Sequence, residues 1–279
     1  MKYLVAVSGG VDSVVLLDML SKSDHQLVVA HVDHGIREDS AADARFVAAL
    51  AKRYRLPFVT TRFELGAGAS EERAREARYG FLTEQAAKYG ATIATAHHTG
   101  DAVETVAINI SRGTGWRGLA VLGREEIHRP LLSFTKSQLR DYANRERLEW
   151  VEDSTNQSDA YHRNRLRRKL TSLLAASAAE QVMALRARQL QLRRDIARES
   201  AHVLAAHIGS RHFLTQIDDG TALELLGYMV EQAGVARPTR PQLVRALHAV
   251  KTAKPGTSFQ VGSGIELHFT ARKFTVVVV

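Results

Sequence analysis

SGGVDS, residues 8–13, stands between the apolar runs KYLVAV (2–7) and VVLLDML (14–20). Tyr3 to Val7 is short and rich in branched apolar residues, the pattern of a buried strand, and Val14 to Leu20 has the composition of a packed helix. A strand, a glycine turn and a helix in that order put the backbone N–H groups of Gly9 to Ser13 at a helix N-terminus, where anions bind. The lysine-bearing nucleotide loop G-x-x-x-x-G-K-S/T is absent, which argues against a Walker-type NTPase. The plainer alternative is an ordinary strand-to-helix turn capped by Ser8 or Asp12.

Working outward, strand and helix patterns alternate to about residue 135. Strands are expected at Gln26 to Val32, Phe58 to Phe63 and Ala91 to Ala96, with helices over Ser40 to Tyr54 and Glu71 to Tyr89. Such alternation predicts an α/β fold: a parallel sheet with helices on both faces, Rossmann-like, whose ligands bind beyond the carboxyl ends of the strands. SGGVDS, VDHG (32–35) and HHTGD (97–101) each follow a strand directly, so three polar clusters converge on one sheet edge. A helix is expected over 136–149, then a polar loop, WVEDSTNQSDAYHRN (150–164), of a length that suggests function. After the basic stretch RNRLRRKL (163–170) comes a long connecting helix, Ala178 to Ile208, with two shorter helices at Thr221 to Gln232 and Arg240 to Val250. Short strands close the chain. The expected domains are 1–170, a linking helical region over 171–212, and a small C-terminal domain over 213–279.

Composition narrows the chemistry. The 279 residues carry a formal charge of +8, which favours a polyanionic partner such as nucleic acid. There is no cysteine, so disulfides, thiolate metal sites, iron–sulfur clusters and persulfide chemistry are excluded. No apolar run reaches membrane-spanning length, and the expected location is cytoplasmic.

Four stretches carry candidate chemistry. If HHTGDAVET (97–105) is helical from its start, His97, Asp101 and Glu104 share one face. Paired carboxylates call for a cation, which could be a substrate ammonium or a metal; a solvated helix start is the third reading. SRGTGWRGL (111–119) is a flexible anion-contacting loop or a helix terminus with turn glycines. EERAREARYGFL (71–82) reads first as a surface salt-bridge face bearing Arg75 and Arg78. The cluster Arg163, Arg165, Arg167, Arg168 and Lys169 is a solvated helix or a phosphate contact.

Together VAVSGGVDS, HVDHGIREDS, EERAREARYGFL, HHTGDAVET with SRGTGWRGL, RPLLSFTKSQLRDYA, and WVEDSTN followed by YHRNRLRR resemble the tRNA(Ile)-lysidine synthetases, a family of the N-type ATP pyrophosphatases (PP-loop superfamily). The match in order and spacing runs from residue 1 to about 170 and is looser beyond, where a further C-terminal domain present in some members is not expected. HHTGD places Gly100 where many members carry a more polar residue.

The resemblance implies a loop that cradles the pyrophosphate of ATP while the α-phosphate is attacked, a task for which a Walker lysine is not needed. It implies adenylation of the anticodon wobble cytidine of an isoleucine tRNA at its C2 oxygen, then attack by the ε-amine of free L-lysine with loss of AMP. On that basis Ser8, Gly9, Gly10 and Ser13 hold pyrophosphate, and Asp12 helps place Mg²⁺. Ala30 and Asp33 belong to the strand end that positions the nucleoside. Asp101 and Glu104 bind the amino groups of lysine, which displaces the metal reading; Arg75 and Arg112 contact phosphate or the lysine carboxylate, and His97 and His98 line the crevice. Arg163, Asn164 and Arg167 complete the site or clamp RNA, with Arg165, Arg168 and Lys169 on tRNA; the catalytic set is Asp12, Asp101 and Arg167. Thiolating relatives use cysteines this chain lacks, and a non-catalytic RNA-binding protein is the rival from another class. The sequence leaves oligomeric state open, a homodimer being one arrangement.

Overall fold

The computed structural model describes residues 1–35, 40–66, 70–152, 176–262 and 264–279. They form two compact units, Met1–Leu190 and Gln191–Val279.

The first unit is built on five parallel strands: β1 (Lys2–Ala6), β2 (Gln26–Asp33), β3 (Phe58–Arg62), β4 (Thr92–Ala94) and β5 (Ile127–His128). Their order across the sheet is β3-β2-β1-β4-β5. Alternate residues of the strands face opposite ways. Tyr3, Val5, Leu27 and Val29 pack with α1 (Val11–Ser21), α2 (Ser40–Arg53) and α5 (Lys136–Arg145) through Val14, Leu17, Val47, Leu50 and Leu139. Leu4, Val28, Ala30, Ile93 and Ile127 face the other way, onto Leu82 and Ala86 of α3 (Glu71–Tyr89). Apolar residues on both faces are the mark of a parallel sheet covered on both sides.

This strand order places the functional loops. The chain leaves β1 toward β2 and β3, then returns to the other side of β1 for β4, so the order reverses between β1 and β4. Such a switch point opens a crevice beyond the carboxyl ends of the two strands. The SGGVDS loop follows β1, and α4 (Thr99–Ser111) follows β4.

Three elements differ from expectation. β5 is an added two-residue strand, too short for a period to register. A 3-10 turn forms over Trp116–Leu119. α5 ends at Arg145 instead of 149, because Arg147 takes a left-handed φ of 52°.

In the second unit the long helix Ala176–His207, which begins in the first unit, is followed by helices Arg211–Gln216, Asp219–Gln232 and Arg240–Thr252, then β6 (Ser258–Gly262), β7 (Ile265–Phe269) and β8 (Phe274–Val278) as an antiparallel sheet. Leu214, Leu226, Leu247, Ile265, Leu267 and Phe274 form its core. The Arg211 guanidinium donates to the carbonyls of Val250 (2.8 Å), Ala253 (2.7 Å) and Thr270 (2.8 Å), closing the carboxyl end of Arg240–Thr252. The short helix Arg211–Gln216 is a further addition to the expected elements.

Candidate active site

Gly9 has a φ of +96°, which lets the chain leave β1 and turn directly into α1. Gly10 is the N-cap of α1 and has no side chain to cap it; Ser8 Oγ accepts from Gly10 N at 3.4 Å, while Asp12 lies inside the first turn. The Ser13 hydroxyl instead gathers the loop. Its Oγ accepts from the N–H groups of Ser8 and Gly9, both at 3.2 Å, and donates to the Gly10 carbonyl at 2.8 Å. The Gly9 carbonyl accepts from Val151 N at 3.0 Å, which pins the segment after α5 onto the loop.

Asp12 lies in the first turn of α1, and Lys136, the first residue of α5, binds both of its oxygens: Nζ is 2.7 Å from Oδ1 and 2.6 Å from Oδ2. On the other side stands His98. Its Nδ1 accepts from Gly100 N at 2.9 Å, so the ring proton of the neutral form sits on Nε2. That nitrogen is 3.9 Å from Asp12 Oδ2 and 3.8 Å from Asp101 Oδ2, beyond hydrogen-bond length but between the two carboxylates. Asp101 in turn accepts from His98 N at 2.9 Å, completing a capping box at the start of α4. The phosphate loop and the HHTGD segment thus meet at His98.

α4 starts at Thr99, so His97 precedes it and does not share its face with Asp101 and Glu104. Glu104 is one turn beyond Asp101 and buried at 3% exposure. His97 accepts or donates at Nδ1 with Thr95 Oγ1 at 2.8 Å. Burial pushes its imidazole down to about 4, against the pull of Asp101 and with the help of Arg129, Arg78 and Arg75. It is a neutral group at physiological pH.

The other expected residues are more dispersed. Ala30 is a core residue of β2 at 1% exposure, its carbonyl accepting from Val7 N at 2.8 Å. Asp33 ends β2, accepting from Gly35 N at 2.8 Å with Arg62 Nη1 3.6 Å away. Arg75 is exposed on α3, its guanidinium 4.9 Å from the centre of the Tyr79 ring. Arg112 is the C-cap of α4, at the opposite end of the helix from Asp101 and about 16 Å along it, so it does not join the His98 group. Arg163, Asn164, Arg165, Arg167, Arg168 and Lys169 lie outside the described residues. Among the described residues no group of three or more His, Asp or Glu is disposed to hold a metal ion.

Lys136 is the member that sequence reasoning missed. Thr135 and Gln138 form a capping box that marks the start of α5 and fixes Lys136 at its first position, but nothing local says that this end meets Asp12.

Residues 1–174 match the PP-loop domain family. The chain is 41% identical over 184 residues to the tRNA(Ile)-lysidine synthase of Thermotoga maritima, a match covering 61% of this chain and 44% of that one. Against the tRNA(Ile)-lysidine synthase of Ruegeria pomeroyi it is 32% identical over 294 residues, covering 95% of this chain and 70% of the relative. The solved U34-tRNA thiolase NcsA from Methanococcus maripaludis has the same fold, with a TM-score of 0.58 at 16% identity over 68% of this chain and 73% of that one. This chain spans under half the length of the first curated relatives it matches, 44% and 43%. The PP-loop match fills the unit that carries Gly9, Asp12, His98 and Asp101, the Ruegeria likeness continues through nearly all of the rest, and the chain belongs to the tRNA(Ile)-lysidine synthase family of PP-loop proteins.

Proposed function

We propose that this chain ligates free L-lysine to C2 of the wobble cytidine of an isoleucine tRNA, using ATP and passing through an adenylated cytidine. The observation that carries the reading is the meeting of the phosphate loop with the HHTGD carboxylate at His98, 3.9 Å from Asp12 and 3.8 Å from Asp101. An anion cradle and a cation-binding carboxylate in one crevice suit a reaction that joins a nucleotide to an ammonium-bearing substrate.

In this reading the loop from Ser8 to Ser13 cradles the β- and γ-phosphates of ATP, its N–H groups and hydroxyls exchanging their bonds to Ser13 Oγ and the Gly10 carbonyl for phosphate oxygens. Asp12 is the residue that fits a magnesium ion arriving with the nucleotide, because such an ion keeps most of its ligands as phosphate oxygens and water and takes only one or two carboxylates. Bound there, the ion offsets the charge of the triphosphate. Asp33 stands at the end of β2 for the nucleoside. The cytidine C2 oxygen bonds to the α-phosphorus while the bond to the bridging oxygen breaks, and the electron pair leaves on pyrophosphate. In the second step the lysine ε-nitrogen bonds to C2, the C–O bond breaks, and AMP departs with the pair. Asp101 and Glu104 hold the amino groups, and Asp101 takes a proton from the ε-ammonium, which frees the electron pair that forms the C–N bond. His97, neutral and half-buried, lines the crevice in this reading without adding charge. In this reading Arg75 takes the lysine carboxylate, and Arg163, Asn164, Arg165, Arg167, Arg168 and Lys169 take the tRNA backbone.

The chain has no cysteine, which disfavours sulfur transfer as the alternative on this fold. The test is incorporation of labelled lysine into an unmodified isoleucine tRNA transcript with and without ATP. Label that enters only with ATP, at the wobble cytidine, supports the reading; tRNA binding with no incorporation and no pyrophosphate release sinks it.

A further inference from the structure

The phosphate loop has no lysine of its own, yet one reaches it from another helix. Lys136 opens α5, where Thr135 N donates to Gln138 Oε1 at 2.8 Å and Gln138 N donates back to Thr135 Oγ1 at 3.3 Å. α5 is held against α1 by Leu139 and Ala143 in the shared core, and by Tyr142, whose hydroxyl donates to Asp18 Oδ2 at 2.7 Å. This fixed helix end delivers the Lys136 ammonium to both oxygens of Asp12. The pair lies at the crevice surface, with the Lys136 side chain 43% exposed and that of Asp12 27% exposed. An ammonium on a four-carbon stem at such a place can change partner without disturbing the fold.

We propose that Lys136 is an exchangeable cation of the phosphate loop: it holds Asp12 until a magnesium nucleotide enters, then turns to an oxygen of the departing pyrophosphate while Asp12 goes to the metal. With both oxygens of Asp12 on one ammonium, a divalent ion that approaches that carboxylate meets the repulsion of Lys136 and competes with it for the same oxygens. A ligand that brings its own anionic oxygens gives Lys136 a second partner at the moment Asp12 is taken. Metal and nucleotide therefore bind together, and the free metal alone binds poorly. As the bond from the α-phosphorus to the bridging oxygen breaks, the electron pair passes to pyrophosphate, where the ammonium stabilises it. The role of the loop rests on the ATP chemistry proposed above, whereas the binding behaviour of Lys136 does not require that lysidine be the product.

The experiment compares the full chain with its Lys136→Met and Lys136→Arg forms, using Mn²⁺ as a paramagnetic probe without nucleotide, Mg·ATP by calorimetry, and thermal melting as a check on folding. Lys136→Met is expected to bind Mn²⁺ about tenfold more tightly and Mg·ATP about tenfold more weakly, opposite changes that a merely structural pair does not produce. Lys136→Arg is expected to restore most of the Mg·ATP affinity. If metal and nucleotide affinity fall together, Lys136 only positions Asp12 and the proposal is overturned; unchanged affinities for both overturn it equally. None of these measurements uses tRNA or lysine, so absence of lysidine synthesis would defeat the proposed reaction and leave the Lys136 result standing.

Discussion

Val151 N donates to the Gly9 carbonyl at 3.0 Å, so the start of WVEDSTN (150–156) is fastened to the phosphate loop by its backbone. Gly9 can present that carbonyl because its φ is +96°. A Cβ there would have room, 3.5 Å from Phe46 Cδ1 and 3.7 Å from Val151 Cγ2, so the cost of a side chain is backbone strain and not a clash. Gly9→Ala should lose about 1–2 kcal/mol and lower the melting temperature by a few degrees. ATP affinity should fall with it, as the N–H groups turn away from their common focus. Calorimetric melting and ATP titration of the same sample check both parts; a variant with unchanged melting would show the positive φ to be unnecessary.

The parts of the site that sequence made legible are those written in contiguous residues. SGGVDS declares itself because an apolar strand ends at two glycines and a helix begins at once. Three other features are tertiary. β5 is only Ile127 and His128, bounded by Arg129-Pro130, and becomes a strand through pairing with Ile93 and Ala94. The start of α4 depends on the His98 ring accepting from Gly100 N, a cap that few histidines provide, and this leaves His97 off the helix. Lys136 is an unremarkable helix-start residue until α1 and α5 pack together.

Asp18 ties the phosphate-loop helix to its neighbours. It is 5% exposed, and its carboxylate accepts from Tyr54 Oη and Tyr142 Oη, both at 2.7 Å, with Lys22 Nζ at 2.8 Å. Burial alone would raise its pKa, but the hydrogen bonds from Lys22, Tyr142 and Tyr54 outweigh that and hold it below the ordinary value. Asp18→Ala strands two hydroxyls and should cost about 2–4 kcal/mol. Denaturant titration measures this directly. A Tyr142→Phe background should reduce the loss, since one of the stranded donors is then gone; equal losses in both backgrounds would mean that the Tyr142 bond contributes nothing.

His97 gives the fold a pH dependence of definite sign. Burial lowers its pKa from 6.5 to about 4, so between those values the unfolded chain binds the proton more readily than the folded one. Its contribution is complete above pH 6.5 and is lost as pH falls toward 4, amounting to at most about 3 kcal/mol. Stability measured from pH 7 down to pH 4 should therefore decline more steeply in the native chain than in His97→Gln. Parallel curves would show that the imidazole titrates freely in the folded state.

The basic stretch after residue 162 should act on tRNA through its charge. Replacing Arg167 and Arg168 with alanine is expected to weaken tRNA binding and to flatten its salt dependence, by roughly one unit of log–log slope for each phosphate that is no longer neutralised. Filter binding over a range of salt concentrations measures the slope. A slope equal to that of the native chain would make these residues a solvated surface.

The paired carboxylates give the sharpest test of the lysine site. Asp101 and Glu104 sit one turn apart on α4, Asp101 engaged with His98 at the crevice and Glu104 buried at 3% exposure. If they hold the two amino groups of lysine, neutralising Glu104 removes one charge-assisted bond and leaves a cation short of a partner. Loss of one member of such a pair costs about 2–5 kcal/mol, so lysine binding should weaken by more than tenfold. Adenylation of the cytidine comes first and needs no lysine, so the two half-reactions should separate. Glu104→Gln should release pyrophosphate at a near-native rate, accumulate adenylated tRNA, and form lysidine only when lysine is supplied in large excess. Single-turnover assays that follow pyrophosphate and labelled lysine in the same reaction resolve these steps. If Glu104→Gln instead loses pyrophosphate release and lysine transfer in equal measure, and excess lysine rescues neither, then Glu104 serves the nucleotide or the framework of α4 and the lysine site lies elsewhere.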